Sequence, residues 1–179
     1  REKAALGIAF DGDGDRVVLV SKTGKIIDAD KMMLTFIADI VPENPGANII
    51  FDVKSSQHLA QMISQYGGNP IMCKSGHSYV KQQMHATDAL LGGEYSAHIF
   101  FKHRWFGFDD GMYSACRLAE ILSEYRIRTN ADFTITGQYI CRSEEFESQE
   151  YYNLLSSAGF KILEFPAWDC LPYDRVSPS

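Results

Sequence analysis

The sequence lacks the features expected of a membrane, nucleic-acid-binding or zinc protein. No apolar run approaches the roughly 20 residues of a membrane-spanning helix, and lysine and arginine form no cluster. The net charge of −6 argues against a nucleic-acid partner, because such domains usually carry a basic face. The 4 cysteines include no Cys-x-x-Cys pair, and the 5 histidines lack the spacing of a zinc helix. We therefore expect neither a membrane nor a nucleic acid among the partners.

The bulk composition is that of an ordinary globular protein. Of 179 residues, 45% are hydrophobic and 22% are charged, which suffices for one good core or two small ones. No signal-peptide pattern opens the sequence, so we expect a cytoplasmic location. The sequence begins at Arg1 rather than methionine, and an apolar strand follows almost at once. We expect a fragment whose first domain is only the end of a larger one.

The most informative segment is a cluster of charge directly after the apolar run 6–10. The segment 11–16 reads DGDGDR, with three carboxylates and a guanidinium in six residues. Like charges so close repel each other unless a cation binds, and hard oxygen ligands suit Mg²⁺, Mn²⁺ or Ca²⁺. The glycines permit a sharp backbone path that turns the carboxylates inward. Arg16 cannot ligate a metal, but it could hold a phosphate beside one.

Two simpler interpretations of this motif fit less well. An EF-hand loop needs glycine at its sixth position and glutamate at its twelfth, whereas Arg16 and Lys22 stand there. A solvated acidic turn would normally have polar flanks, but the apolar runs 8–10 and 17–20 enclose this motif and are typical of strands.

The middle of the chain alternates predicted strands and helices. Strands are predicted at 47–53, 70–73 and 89–91, and helices start near residues 28–30, 55–56, 79 and 110. This order predicts a three-layer α/β/α domain with a mixed, mostly parallel sheet. We assign residues 1–25 to the end of a similar preceding domain, 26–125 to the α/β domain, and 126–179 to a tail of unknown structure.

Polar residues follow the strands where this topology places ligand sites. Lys54 follows the first, His77 follows the second within Gly-His-Ser, and Glu94, Ser96 and His98 follow the third. In an extended segment, those last three side chains would lie on one side. Each signal alone is weak, but together they predict convergence on one crevice.

Five segments together match the pattern of one known family: GIAFDGDGDR at 7–16, FDVKSS at 51–56, SGHSYVKQQM at 75–84, GGEYSAHIFFKHRWFGFDDG at 92–111 and MYSACRLAEILS at 112–123. In this order they resemble the α-D-phosphohexomutases, most closely the bacterial phosphomannomutase/phosphoglucomutase branch. The resemblance implies a four-domain enzyme, of which this chain carries the end of domain 2 and nearly all of domain 3. It also implies that a phosphoserine and a hexose bisphosphate intermediate interconvert hexose 1- and 6-phosphates.

The resemblance also implies roles for individual residues. Asp11, Asp13 and Asp15 look like the Mg²⁺ ligands, and Arg16 looks like the residue beside the phosphoserine. Lys54 and His77 resemble the active-site cation and the acid/base pair. Glu94, Ser96 and His98 resemble the sugar-specificity loop, in which the first two would bind vicinal hydroxyls of glucose or mannose phosphate.

Departures from the family pattern leave alternatives open. Neither the phosphoserine loop of domain 1 nor the phosphate-binding loop of domain 4 is present, and Ala97 stands where many relatives have glycine. A haloacid-dehalogenase-like phosphatase would use Asp11 as nucleophile and Asp13 as acid/base, with Lys54 or Lys74 and Asp109-Asp110 in later motifs. It leaves Arg16 and the 94–98 segment unexplained. For the isolated chain, a noncatalytic module that binds a metal or a phosphosugar is a further alternative.

Overall fold

The apolar runs around the acidic motif pair as a hairpin. The computed structural model describes residues 6–129, 136–139 and 161–164. Strand β1 (Leu6–Phe10) pairs antiparallel with β2 (Val17–Ser21), which also pairs with the short β3 (Ile26–Ile27). The register sets Phe10 opposite Val17, so residues 11–16 form the loop that closes the hairpin. The two strands predicted around the motif are confirmed.

Strands and helices then alternate, as predicted. The elements are α1 (Ala29–Glu43), β4 (Asn48–Asp52), α2 (His58–Gln65), β5 (Asn69–Cys73), α3 (His77–Thr87), β6 (Leu91–Gly93), β7 (Ile99–Phe101) and α4 (Gly111–Thr129). The sheet order is β5-β4-β6-β7, in which β4 lies parallel to β5 and β6, and β7 is antiparallel to β6. The predicted mixed, mostly parallel sheet is confirmed.

Helices cover both faces of this sheet. Alternate residues of β4 point to opposite sides and pack against the helices there. Ile49 and Phe51 join a core formed with α1, α2 and α4, whereas Ile50 packs with Val80 and Met84 of α3 on the other face. Phe36 of α1 meets a β7 ring edge-to-face at 4.9 Å between centroids. The three-layer arrangement is therefore confirmed.

The hairpin packs against the α/β domain. Apolar residues of β1 and β2, among them Ile8, Val17 and Leu19, belong to the same core cluster as α1 and α4. The proposed boundary between residues 25 and 26 stays a prediction. Of the predicted tail 126–179, the structure describes the end of α4 and the strands β8 (Thr136–Tyr139) and β9 (Lys161–Glu164), which pair in parallel. The remainder of the tail lies outside the described residues.

Within those described ranges, no helix is both long enough and apolar enough to cross a bilayer.

Candidate active site

The DGDGDR loop brings its carboxylates together by curling at the end of the hairpin. One oxygen from each of Asp11, Asp13 and Asp15 lies within 4.8 Å of the others. Gly14 has φ 77°, a left-handed conformation that favours glycine. Asp15 Oδ1 is buried and has no hydrogen-bond partner in the described part of the chain. This donor set suits a hard divalent cation, which would supply the missing partner.

Arg16 is tied to the first carboxylate of the loop. Its Nε donates to Asp11 Oδ2 at 2.5 Å, and its backbone N–H donates to Asp11 Oδ1 at 3.2 Å. Burial alone would raise the pKa of Asp11, but these hydrogen bonds outweigh it and lower the pKa. Conversely, the hydrogen bond to Asp11 raises the pKa of the guanidinium.

Asp15 differs from Asp11 in its electrostatic environment. Burial raises its pKa, and repulsion from Asp11, Asp13 and Asp109 adds to that effect, while His98 opposes it. The loop therefore concentrates negative charge that Arg16 offsets mainly at Asp11, because its Nε lies 2.5 Å from Asp11 Oδ2 but 3.8 Å from Asp15 Oδ1. A bound cation would relieve the repulsion at Asp15.

The segment 94–98 is a tight turn, so the expected extended conformation is wrong. Glu94 N–H donates to the His98 carbonyl at 3.0 Å, and Ala97 N–H donates to the Glu94 carbonyl at 3.0 Å. The turn connects β6 and β7, whose antiparallel pairing requires the chain to reverse here. Ala97 has φ 76°, which fits the glycine expected in relatives at this position.

The turn nevertheless brings the side chains of Glu94 and Ser96 together around the imidazole of His98. His98 Nδ1 lies 3.0 Å from Ser96 Oγ and 3.3 Å from Glu94 Oε2. The other ring nitrogen, Nε2, lies 3.2 Å from Asp15 Oδ2. His98 therefore links the candidate sugar-binding turn to the candidate metal loop.

The backbones of the hairpin and the turn also meet. Arg16 and His98 form an isolated antiparallel bridge, and Val17 N–H donates to the Ala97 carbonyl at 3.3 Å. At the other side of the loop, Gly111 N–H at the start of α4 donates to the Gly14 carbonyl at 3.1 Å. The loop is thus held by both the sheet edge and α4.

His77 begins α3 and lies on the same side of the site. Its Nδ1 is 3.5 Å from Asp109 Oδ2, and its ring centroid is 6.0 Å from that of His98. Lys81, one turn further along α3, donates to Asp109 Oδ1 at 3.0 Å. Burial would raise the pKa of Asp109, but the Lys81 hydrogen bond and neighbouring positive charge lower it.

Sequence reasoning did not assign Asp109 and Lys81 to this site. Asp109 entered only the phosphatase alternative, although atoms of Asp15, His98 and Asp109 lie within 4.8 Å of one another. Lys81 lies one helical turn after His77, a spacing that places both side chains on one face of α3. That spacing was the available signal.

Lys54 differs from the other predicted residues in its polar contacts. It lies in the exposed turn after β4, and its side chain makes no hydrogen bond or ion pair with any described residue. The acidic loop, His77 and the 94–98 turn are therefore joined by hydrogen bonds and ion pairs, whereas Lys54 forms neither with them in the described part of the chain.

The comparisons with known proteins agree on one family. Residues 28–134 match the family model described as phosphoglucomutase/phosphomannomutase, alpha/beta/alpha domain III. A phosphomannomutase/phosphoglucomutase of Pseudomonas aeruginosa is 60% identical over 123 residues, which are 69% of this chain and 27% of that protein. A phosphoglucomutase of Neisseria meningitidis is 55% identical over 120 residues, covering 67% of this chain and 26% of that protein.

A solved structure gives the same result. A phosphoglucomutase/phosphomannomutase family protein from Burkholderia thailandensis superimposes with a TM-score of 0.67 at 50% identity, covering 68% of this chain and 26% of the other. The chain thus spans about a quarter of the length of the relatives it matches. Because the family model covers more than half of the sequence and describes the same three-layer domain, the chain belongs to the phosphoglucomutase/phosphomannomutase family.

Proposed function

We propose that this chain is part of a phosphohexomutase that interconverts hexose 1-phosphate and hexose 6-phosphate through a phosphoserine enzyme and a bisphosphate intermediate. The observation that carries the proposal is the 3.2 Å contact between Asp15 and His98. It joins a loop suited to a metal and a phosphate to a turn suited to a sugar.

Asp11, Asp13 and Asp15 would hold Mg²⁺, which when bound neutralises charge on a transferring phosphoryl group. Arg16 would orient phosphate oxygens, because its planar guanidinium can donate two parallel hydrogen bonds. His77 would exchange a proton with a sugar hydroxyl, and Asp109 would hold its imidazole in place. Exposed Lys54 would provide positive charge toward the phosphate.

Glu94, Ser96 and His98 would bind the sugar. Glu94 is buried, and its Oε1 already accepts the Gly76 N–H at 2.5 Å. A hexose hydroxyl would therefore share this carboxylate with Gly76 and His98, while exposed Ser96 would offer its hydroxyl directly. Such contacts suit either glucose or mannose phosphate, because a diol supplies both donors and acceptors.

The family match and the hairpin site favour this function over the phosphatase alternative. The chain does not carry the phosphoserine segment, so we expect no mutase turnover from it alone and only binding of metal and phosphosugar. Robust turnover by this chain would contradict that expectation. A cytoplasmic location remains a prediction from the sequence.

Metal binding can be tested by calorimetric titration with Mg²⁺. Asp13→Asn should weaken the affinity by about tenfold, because it removes one charged ligand. Asp28→Asn is the matched control, since Asp28 is an exposed carboxylate that pairs with Lys31 at 2.5 Å outside the loop. Equal affinities in the two variants would remove the metal assignment.

A further inference from the structure

Asp52 is a buried carboxylate at the centre of the sheet edge that carries the site. It is the last residue of β4, which lies between β5 and β6, and it is 1% exposed. The carboxyl ends of these three parallel strands meet at this edge. Burying a carboxylate costs free energy unless hydrogen bonds satisfy it. The donors that satisfy Asp52 show what it holds.

Donors from three different loops converge on this side chain. Asp52 Oδ1 accepts the Ser55 N–H at 3.1 Å, the Ser55 hydroxyl at 2.7 Å and the Tyr95 N–H at 3.1 Å. Asp52 Oδ2 accepts the Ser75 hydroxyl at 2.7 Å. Among the residues whose side chains are described, no lysine, arginine or histidine lies within ion-pair distance of it. The carboxylate is therefore satisfied by these neutral donors.

Each of these loops contains residues of the proposed site. Ser55 is next to Lys54 in the turn after β4, and Ser75 lies two residues before His77. Tyr95 belongs to the turn that presents Glu94, Ser96 and His98. Glu94 joins two of the loops a second time through the Gly76 N–H. Without the Asp52 acceptors, two backbone contacts would remain: the Gly76 N–H bond to Glu94, and the Val53 N–H, which donates to the Cys73 carbonyl at 3.0 Å. Neither of them links the turn after β4 to the 94–98 turn.

We propose that Asp52 is a positioning residue that fixes the loops of Lys54, His77 and Glu94–His98 relative to one another. The functional part of this inference rests on the proposed phosphosugar function. The structural part does not, because the contacts are properties of this chain. Asp52 is too deeply buried to touch substrate and acts through the loops.

The structural part can be tested by amide hydrogen exchange at Tyr95, whose N–H donates to Asp52 Oδ1. Asp52→Ala should speed this exchange by about tenfold. Asp52→Asn should restore it, because the amide keeps one oxygen acceptor and its NH₂ can donate to Ser75 instead. Both variants remove the charge, so rescue by asparagine distinguishes hydrogen-bond geometry from charge.

Two further substitutions, Ser75→Ala and the control Thr87→Ala, keep the test decisive if Asp52→Ala fails to fold. Ser75→Ala should change amide chemical shifts at residues 74–78 and weaken protection at Tyr95 only slightly. Thr87→Ala is the control, because it removes a hydroxyl that donates to Gln83 at 2.7 Å at the opposite end of α3 from His77. If Ser75→Ala leaves the 74–78 shifts as unchanged as Thr87→Ala does, or if Asp52→Asn fails to protect Tyr95, the proposal is overturned.

Binding of glucose 6-phosphate, followed by chemical shifts of the full chain, tests the functional part. A folded Asp52→Ala should bind at least about fivefold more weakly than Asp52→Asn. Equal binding by both would overturn the positioning role for the sugar turn. No binding by the unsubstituted chain would count against the proposed function instead, while the Tyr95 exchange still decides whether Asp52 organises the loops.

Discussion

Gly111→Ala should distort the candidate metal loop, residues 11–16, from outside it. Gly111 is buried at the start of α4, and its N–H donates to the Gly14 carbonyl at 3.1 Å. A Cβ at this position would lie 2.7 Å from the carbonyl oxygens of both Gly14 and Arg16. These neighbours are backbone atoms, so no side chain can rotate away. The loop or the helix must move.

The size of the effect follows from that contact. Ordinary contact requires the oxygens to retreat by about 0.7 Å, and such overpacking costs about 1–3 kcal/mol. Alanine regains up to about 1 kcal/mol through its helix propensity. We expect a net loss of about 1–2 kcal/mol in the free energy of unfolding, and a melting temperature lower by roughly 5 °C. Mg²⁺ affinity should fall severalfold, because Asp15 and Arg16 move with the displaced backbone.

Gly7→Ala is the matched control within the same hairpin. Its Cβ would meet Val20 Cβ at 3.4 Å and the Val20 carbonyl at 3.7 Å, which are ordinary contacts. Urea unfolding and Mg²⁺ titration of both variants separate a local clash from a general effect of replacing glycine. The reasoning fails if Gly111→Ala is as stable as Gly7→Ala and binds Mg²⁺ as tightly.

Two further predictions concern stability. Arg117 is buried between α1 and α4 and donates to Asp39 at 2.6 Å. Arg117→Met should lower the free energy of unfolding in urea by about 2 kcal/mol, which is less than for a fully buried pair because Asp39 is partly hydrated. A loss no greater than that of a surface arginine substitution would contradict this prediction. Burial raises the pKa of the Cys116 thiol from 9.0 to about 12, so the unfolded chain loses this proton at lower pH than the folded chain. From pH 9 to pH 12, stability should therefore fall relative to Cys116→Ala by up to about 1.4 kcal/mol per pH unit. Parallel pH curves for the two proteins would show that the thiol does not contribute.

The elements of the fold could be predicted where the sequence pattern is local. β4 and α1 follow from an apolar run and from helical spacing, and both lie within a few residues of the expected positions. The start of α2 was expected at Ser55 or Ser56, but the helix begins at His58. Ser55 donates its hydroxyl to Asp52 and does not cap the helix. Its partner, three residues earlier, ends β4, and helix propensity does not show that Ser55 pairs back to that strand instead of capping the helix.

The site shows the same division between local and nonlocal information. The spacing of Asp11, Asp13 and Asp15 predicts a metal loop directly, since all three proposed ligands belong to one segment. The conformation of residues 94–98 could not be read in this way, because alternating polar residues suit a strand as well as a turn. Pairing of β6 with β7 decides the matter. Asp52 was missed for a related reason: a single acid after an apolar run reveals its partners only once the loops are in place.

The connections of His98 explain why the metal loop and the sugar turn should respond together. One imidazole contacts Asp15 of the loop and Glu94 of the turn, and Glu94 in turn accepts the Gly76 N–H before α3. Because an imidazole ring is rigid, moving one of its nitrogens displaces the other. A shift of Asp15 is therefore transmitted to the carboxylate that we assign to the sugar. Under the proposed function, this coupling would place the phosphate and sugar groups of one substrate in a fixed relation, which phosphoryl transfer requires of the residues around it.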